Sequence, residues 1–174
     1  VTLGFAVIGN TEWSDVPAYL GGEFCGAFVG ATLVWAAYSN HWRETEDPGL
    51  KLAVFCTAPA IRNTVANIIT EIIGTFLLVF GVLAIFANKA VADPLFGLGG
   101  LLVGLLVFAI GLSLGGPTGY AINPARDLGP RIMHAILPIP GKGPSDWGYA
   151  WIPVVAPIVG GILGALAFDA FYPG

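Results

Sequence analysis

Four stretches of this chain are each apolar for about 20 residues, the length a helix needs to cross the hydrocarbon of a bilayer. They are Val16–Tyr38, Thr64–Ala87, Pro94–Leu114 and Tyr149–Tyr172. No soluble fold hides four such segments. Charged residues are 10% of the sequence and the mean hydropathy is +0.80, whereas soluble domains carry about a quarter charged residues. The chain is read as an all-α, multi-pass membrane protein whose partner is the lipid bilayer. A fifth apolar piece, Asn123–Leu137, is too short to cross and is bounded by Gly and Pro. That length fits a re-entrant half-helix.

The same features exclude several classes. A formal charge of −4 with no Lys/Arg cluster argues against nucleic acid. Cys25 falls in an apolar span and Cys56 in a connection, so neither suggests a disulfide framework. His41 and His134 are isolated, and no metal-ligand spacing or nucleophile–base pair is present. The reading is therefore not an enzyme, with no metal and no cofactor. No basic start with a cleavage site marks a secretory signal. The chain begins at Val1 and its only methionine is Met133, from which we expect an incomplete N-terminus.

Residues 118–131 read Thr-Gly-Tyr-Ala-Ile-Asn-Pro-Ala-Arg-Asp-Leu-Gly-Pro-Arg. Asn123 is a good N-cap, Pro124 suits the first helical position, and Gly119 allows unusual backbone angles. A helix starting there aims its positive dipole end, the Asn123 amide and Arg126 at what lies ahead. Irregular backbone at membrane depth is tolerated only inside protein or along a watery cavity, so the motif points to a pore.

A faint repeat accompanies it. Gly26, Gly30, Ala31 and Tyr38 match Gly160, Gly164, Ala165 and Tyr172 at one constant separation, and Leu3-Gly4 matches Leu128-Gly129. Two units of half-helix followed by span recur, residues 1–8 being the tail of the first half-helix. Inverted repeats with broken helices meeting at the bilayer midplane are a common transporter plan. By symmetry, on the order of 60 residues with two spans and a half-helix start would precede Val1. Glycines spaced by four (Gly22, Gly26, Gly30; Gly100, Gly104; Gly160, Gly164) are a packing signal for close helices. The remaining layout expected is one channel domain over 1–174, with an outer loop at 40–63, a short turn at 88–93 and a re-entrant loop at 115–148.

Gly119–Asp127 followed by Leu-Gly-Pro-Arg resembles the second Asn-Pro-Ala box of the aquaporin (major intrinsic protein) family. Asp127 directly after Arg126 is similar to its glycerol-conducting branch, the aquaglyceroporins. Asn67–Glu71 resembles the start of the family's fourth helix, Ile110–Gly115 the end of the fifth, and Ile152–Gly160 the sixth. Pro153 followed by Val154 is typical of glycerol facilitators. The chain departs from the pattern in three ways. The first Asn-Pro-Ala box and the second helix with its filter tryptophan are not present, Glu23 stands where glutamine is usual, and Arg131 replaces a common lysine. The resemblance implies an aquaporin-like bundle with two re-entrant half-helices, a homotetramer with one pore per subunit, and a place in the plasma membrane. It implies passive passage of glycerol, similar small neutral solutes and water.

The residues suit that chemistry, each beside a plainer reading. Asn123 can cap its helix and offer amide protons to a passing hydroxyl, or simply cap a buried loop. Arg126 supplies fixed donors and a permanent charge that binds hydroxyls and repels cations; the plainer reading is a salt bridge to Asp127 or another carboxylate. Asp127 is either a first-turn acid on the helix dipole or a determinant of substrate class. Gly119, Tyr120, Ala121 and Ile122 are expected to run extended, leaving a row of carbonyls for successive alcohol or water protons. Tyr120 gives an apolar wall, or else anchors an interface. Gly111 aligns with a histidine of many strict water channels, and its missing side chain widens the filter, or else serves helix packing. Pro124 and Ala125 complete the box. Glu71 is expected to accept from backbone N–H groups of the re-entrant loop, the alternative being a proton relay, and Glu23 needs a partner in its span. Asp169 is expected at the interface.

Two other readings stay open for the whole: a water-selective channel, and a coupled transporter or non-conducting structural protein. Orientation conflicts with simple charge counting. Lys89 alone falls where the family places cytoplasm, whereas Arg43, Lys51, Arg62, Arg131 and Lys142 fall outside, which the positive-inside rule would invert.

Overall fold

The computed structural model describes residues 1–88, 91 and 97–172, and every regular element among them is helical. In chain order these are α1 (Thr2–Val7), α2 (Val16–Ala37), α3 (His41–Glu44), α4 (Pro48–Ala53), α5 (Thr64–Ala87), α6 (Gly99–Thr118), α7 (Pro124–Ile136), α8 (Trp147–Ala150) and α9 (Ile152–Phe171). α2, α5, α6 and the α8–α9 run are long and apolar enough to cross a membrane. The fold is a bundle of spans with a half-helix, α7, folded back into it.

α5 and α9 form its buried centre. A Cβ built on Gly164 would lie 2.6 Å from the Phe76 carbonyl oxygen, and one on Gly160 would collide with that of Ile72. The two helices therefore meet backbone to backbone, as small residues at four-residue spacing permit in lipid. α2 packs along α7, α6 along α5, and α1 lies on α9. α2 and α6 leave large apolar side chains exposed, among them Val29, Leu33, Leu101, Leu105 and Phe108, which in water would form a patch no monomer maintains. Lipid resolves that.

Caps set the ends. Asn63 Oδ1 accepts from Ala66 N at 3.0 Å to start α5, and Asp47 Oδ1 from Gly49 N at 2.7 Å to start α4. The connection at 40–63 thus carries two short helices. Four expectations differ from the structure or fall outside it. The start of the third span at Pro94, the orientation marker Lys89 and most of the turn 88–93 lie outside the described residues. That span ends at Thr118 and not at Leu114. Gly115-Gly116-Pro117 looks like a breaker, but it occupies a last turn that is closed from outside: Ala60 N donates to the Pro117 carbonyl at 3.1 Å, and Gly119, at φ 76, returns its N–H to Gly115 at 2.8 Å. Only glycine adopts that left-handed cap without steric cost.

Candidate functional site

α7 begins at the centre of the bundle. Asn123 Oδ1 accepts from Ala125 N at 2.8 Å and Pro124 occupies the first helical position. Before it, the chain is not extended. Tyr120 and Ile122 have φ of 42° and 44°, and Gly119 is also left-handed. This corrects the expectation of an extended run over 119–122. The cause is Glu71, whose two carboxylate oxygens accept from Ala121 N at 3.0 Å and Ile122 N at 2.8 Å. Drawing two successive N–H groups onto one carboxylate forces the backbone to curl. Left-handed angles cost of order 1–3 kcal/mol each for non-glycine residues, while buried hydrogen bonds to a charged group return about 1.5–3 kcal/mol each, so the curl is close to balanced. The carbonyls of Gly119, Tyr120 and Ala121 accept no hydrogen bond from any described residue. They are available to something else.

Arg126, one turn into α7, is exposed and makes no hydrogen bond or ion pair with any described residue; its guanidinium carbon lies 6.0 Å from the centre of the Tyr120 ring. A Cβ on Gly111 would come within 3.0 Å of that ring. Gly111 thus leaves the place where Tyr120 lies, and any widening comes through where the ring goes. The ring, Gly111, Val107, Phe108 and Leu112 line one apolar cleft.

Asp127 goes elsewhere. It is fully buried and accepts from Thr57 N at 2.7 Å, Thr57 Oγ1 at 2.6 Å, Arg131 Nε at 2.8 Å and Arg131 Nη2 at 3.0 Å. Arg131, equally buried, donates also to the carbonyls of Thr57 (2.8 Å), Ser145 (2.9 Å) and Asp146 (3.2 Å). Of the open readings for Asp127, its contacts are those of a clamp joining the 40–63 connection to α7, and the pair it makes is with Arg131 and not Arg126. Burial pushes the neighbouring Cys56 thiol up to about 12, with Asp127 adding to the shift and Arg131 and Arg126 opposing it.

Glu23, on α2, accepts from Thr2 Oγ1 at 2.9 Å. Together with Thr75, Asn123 and Pro124 it borders a cavity of about 70 Å³ where the α1 and α7 ends meet. Asp169 is exposed at the far end of α9.

Most of the basic residues expected on the outside have partners within the fold. Lys142 Nζ donates to the Ala135 and Leu137 carbonyls at 2.6 and 2.7 Å, capping α7. Lys51 donates to the Pro140 carbonyl, and Arg62 pairs with Asp146. With Arg131, four of the five have partners in the fold, Arg62 from an exposed position. They tie loops to α7 and to one another.

Sequence reading noted Arg131 only as a replacement for lysine and missed Thr57 and Ser145. The four-residue spacing of Asp127 and Arg131 was a usable signal for a helical ion pair. Thr57, seventy residues from its partner, left none.

Residues 1–168 match the family described as major intrinsic protein. The chain is 63% identical over 169 residues to the probable glycerol uptake facilitator protein of Thermotoga maritima, covering 97% of this chain and 70% of that protein. It is 53% identical over 174 residues to the glycerol uptake facilitator protein of Bacillus subtilis, covering 100% and 62%. The X-ray structure of the aquaglyceroporin from Plasmodium falciparum superposes with a TM-score of 0.81 at 28% identity, over 97% of this chain and 69% of that one. The chain spans about 62–70% of the length of these proteins.

Proposed function

This chain belongs to the major intrinsic protein family, and from that premise we propose that it forms a passive membrane channel for glycerol and similar small neutral solutes, with water as a second permeant. The observation that carries the reading is the free guanidinium of Arg126 beside the Tyr120 ring, next to unclaimed carbonyls on the same segment. A polyol needs donors, acceptors and an apolar wall together. Arg126 donates to its hydroxyls, the carbonyls of Gly119, Tyr120 and Ala121 accept from them, and the ring takes the carbon backbone. The permanent charge of Arg126 and the positive end of α7 oppose cations and hydronium. No bond is made or broken.

Asn123 adds amide donors at the midpoint, and Pro124, Ala125 and Ile122 shape the approach. Glu71 and Asp127 hold the segment without touching the permeant, and Glu23 holds the facing end of α1 through Thr2. The assembly is a homotetramer in the plasma membrane with a pore in each subunit, a proposal resting on the family.

Stopped-flow light scattering on proteoliposomes of the full-length protein tests this. Rapid re-swelling in a glycerol gradient, lost when Gly111 is replaced by Trp, is the expected result. Shrinkage in an impermeant sugar without glycerol re-swelling would mean a water-selective channel. Flux that requires a proton or sodium gradient would mean a coupled transporter, and no flux a structural protein.

A further inference from the structure

His134, on the last turns of α7, is fully buried, yet the channel chemistry above makes no use of it. Its Nδ1 lies 2.9 Å from Ser145 Oγ, and its Nε2 has no hydrogen-bond partner. Phe55 from the outer loop meets the ring edge-on at 5.5 Å between centres. The charged groups around it are cations: Arg131 on its own helix and Lys142 on the return loop. The carboxylates of the region are engaged elsewhere, Asp127 by Arg131 and Thr57, and Asp146 by Arg62. Cys56, beside Phe55, stays a thiol.

The Ser145 contact has a consequence at the pore. Ser145 touches His134 with its hydroxyl and Arg131 with its carbonyl. Arg131 holds Asp127, which follows Arg126 in the chain. Three contacts therefore connect an imidazole near the outer face to the first turn of the half-helix.

We propose that the neutral imidazole of His134 is a positioning group for Arg126, acting through Ser145 and the Arg131–Asp127 pair, and that protonation of the ring disables glycerol passage. This rests on the channel reading given above. An imidazolium donates from both nitrogens; as the ring lies, Nε2 has no hydrogen-bond partner, and the support of the Lys142 main chain is outweighed by burial and by the two neighbouring charges that repel it. The ring leaves its pocket, Ser145 loses its partner, and the carbonyls of Ser145 and Asp146 that fix one arm of Arg131 shift with it. Burial first, then Lys142 and Arg131, keep the His134 titration below its ordinary value, with the Lys142 main chain opposing them. The response therefore falls on the acid side of neutrality.

The test is glycerol flux by stopped-flow on proteoliposomes of the full-length channel, equilibrated between about pH 7.5 and about pH 5, the range in which histidine changes charge. Wild-type flux falls severalfold on acidification and recovers on return. His134→Gln, neutral at every pH, keeps its flux across the range. Ser145→Ala, which cuts the connection and serves if the glutamine variant misfolds, has reduced flux at pH 7.5 and little further change at pH 5. His41, exposed on the outer loop, remains in both variants as an internal control. Wild-type flux indifferent to pH overturns the proposal, as does an equal fall in His134→Gln or a full wild-type response in Ser145→Ala. Absence of glycerol flux at any pH overturns the channel reading itself, which is a different result.

Discussion

Glu71 and Ile122 are joined by a 2.8 Å hydrogen bond across 51 residues of sequence, from the middle of a membrane span to the residue before the Asn123 cap. With the companion bond to Ala121 N at 3.0 Å, it makes a carboxylate the support of the segment from which Tyr120 and the free carbonyls project. Replacing Glu71 by Gln keeps the shape but leaves one acceptor for two donors and sets an NH2 against an N–H. Each buried donor left unsatisfied costs about 1–3 kcal/mol. Glu71→Gln is expected to lower the thermal midpoint in detergent and to reduce glycerol flux. A variant with wild-type flux would show that the curled backbone holds itself.

The Asp127–Arg131 pair gives a prediction with an asymmetry. Both side chains are fully buried, so removing either alone strands a charge at a cost of about 3–5 kcal/mol. Asp127→Asn and Arg131→Met should each destabilise strongly. The double variant should lose clearly less than the sum of the two, measured as a cycle of unfolding free energies. Arg62–Asp146, by contrast, is solvent-exposed at the arginine. Arg62→Ala should change stability by less than about 1 kcal/mol, less still at high salt.

Histidine protonation predicts a pH dependence of stability separate from that of flux. The folded protein holds the His134 titration below that of the unfolded chain, which is near 6.5. The unfolded chain then binds the proton first as pH falls. The His134 contribution is complete above about pH 6.5 and is lost progressively below it. Thermal unfolding of wild type against His134→Gln should show a difference in slope on the acid side only.

The fold was legible because lipid leaves a chain few options: apolar length alone located the spans, and Asn123-Pro124 located the start of α7 to the residue. Glu71 could be singled out because a carboxylate in an apolar span requires a donor. The backbone curl at Tyr120 and Ile122 was not legible, since neither residue favours positive φ and its cause lies on another helix. Thr57 was invisible for a similar reason: an ordinary threonine in a loop acquires its role only when folding brings it to Asp127. Tyr120 and Gly111 could each be named, but not that the ring would lie against the glycine.

Cys56 offers a chemical readout of the same region. Its thiol ionises only near pH 12 and the residue is buried, so at about pH 8 iodoacetamide, which needs the thiolate, should leave it unmodified. Labelling should appear in Arg131→Met if the clamp keeps the outer loop in place, followed by mass spectrometry of the peptide containing Cys56.

The seam at Gly160 and Gly164 sets how such a protein can change over time. Where two helices touch through carbonyls, a new side chain has no neighbour that can turn aside, so the α5–α9 contact is closed to gradual substitution. Tyr120 and Arg126, by contrast, project from a curled segment and a helix start, where the space beside a side chain is not backbone. The α5–α9 seam thus acts as a keel, and Glu71, on α5 itself, fastens the segment carrying Tyr120 to it.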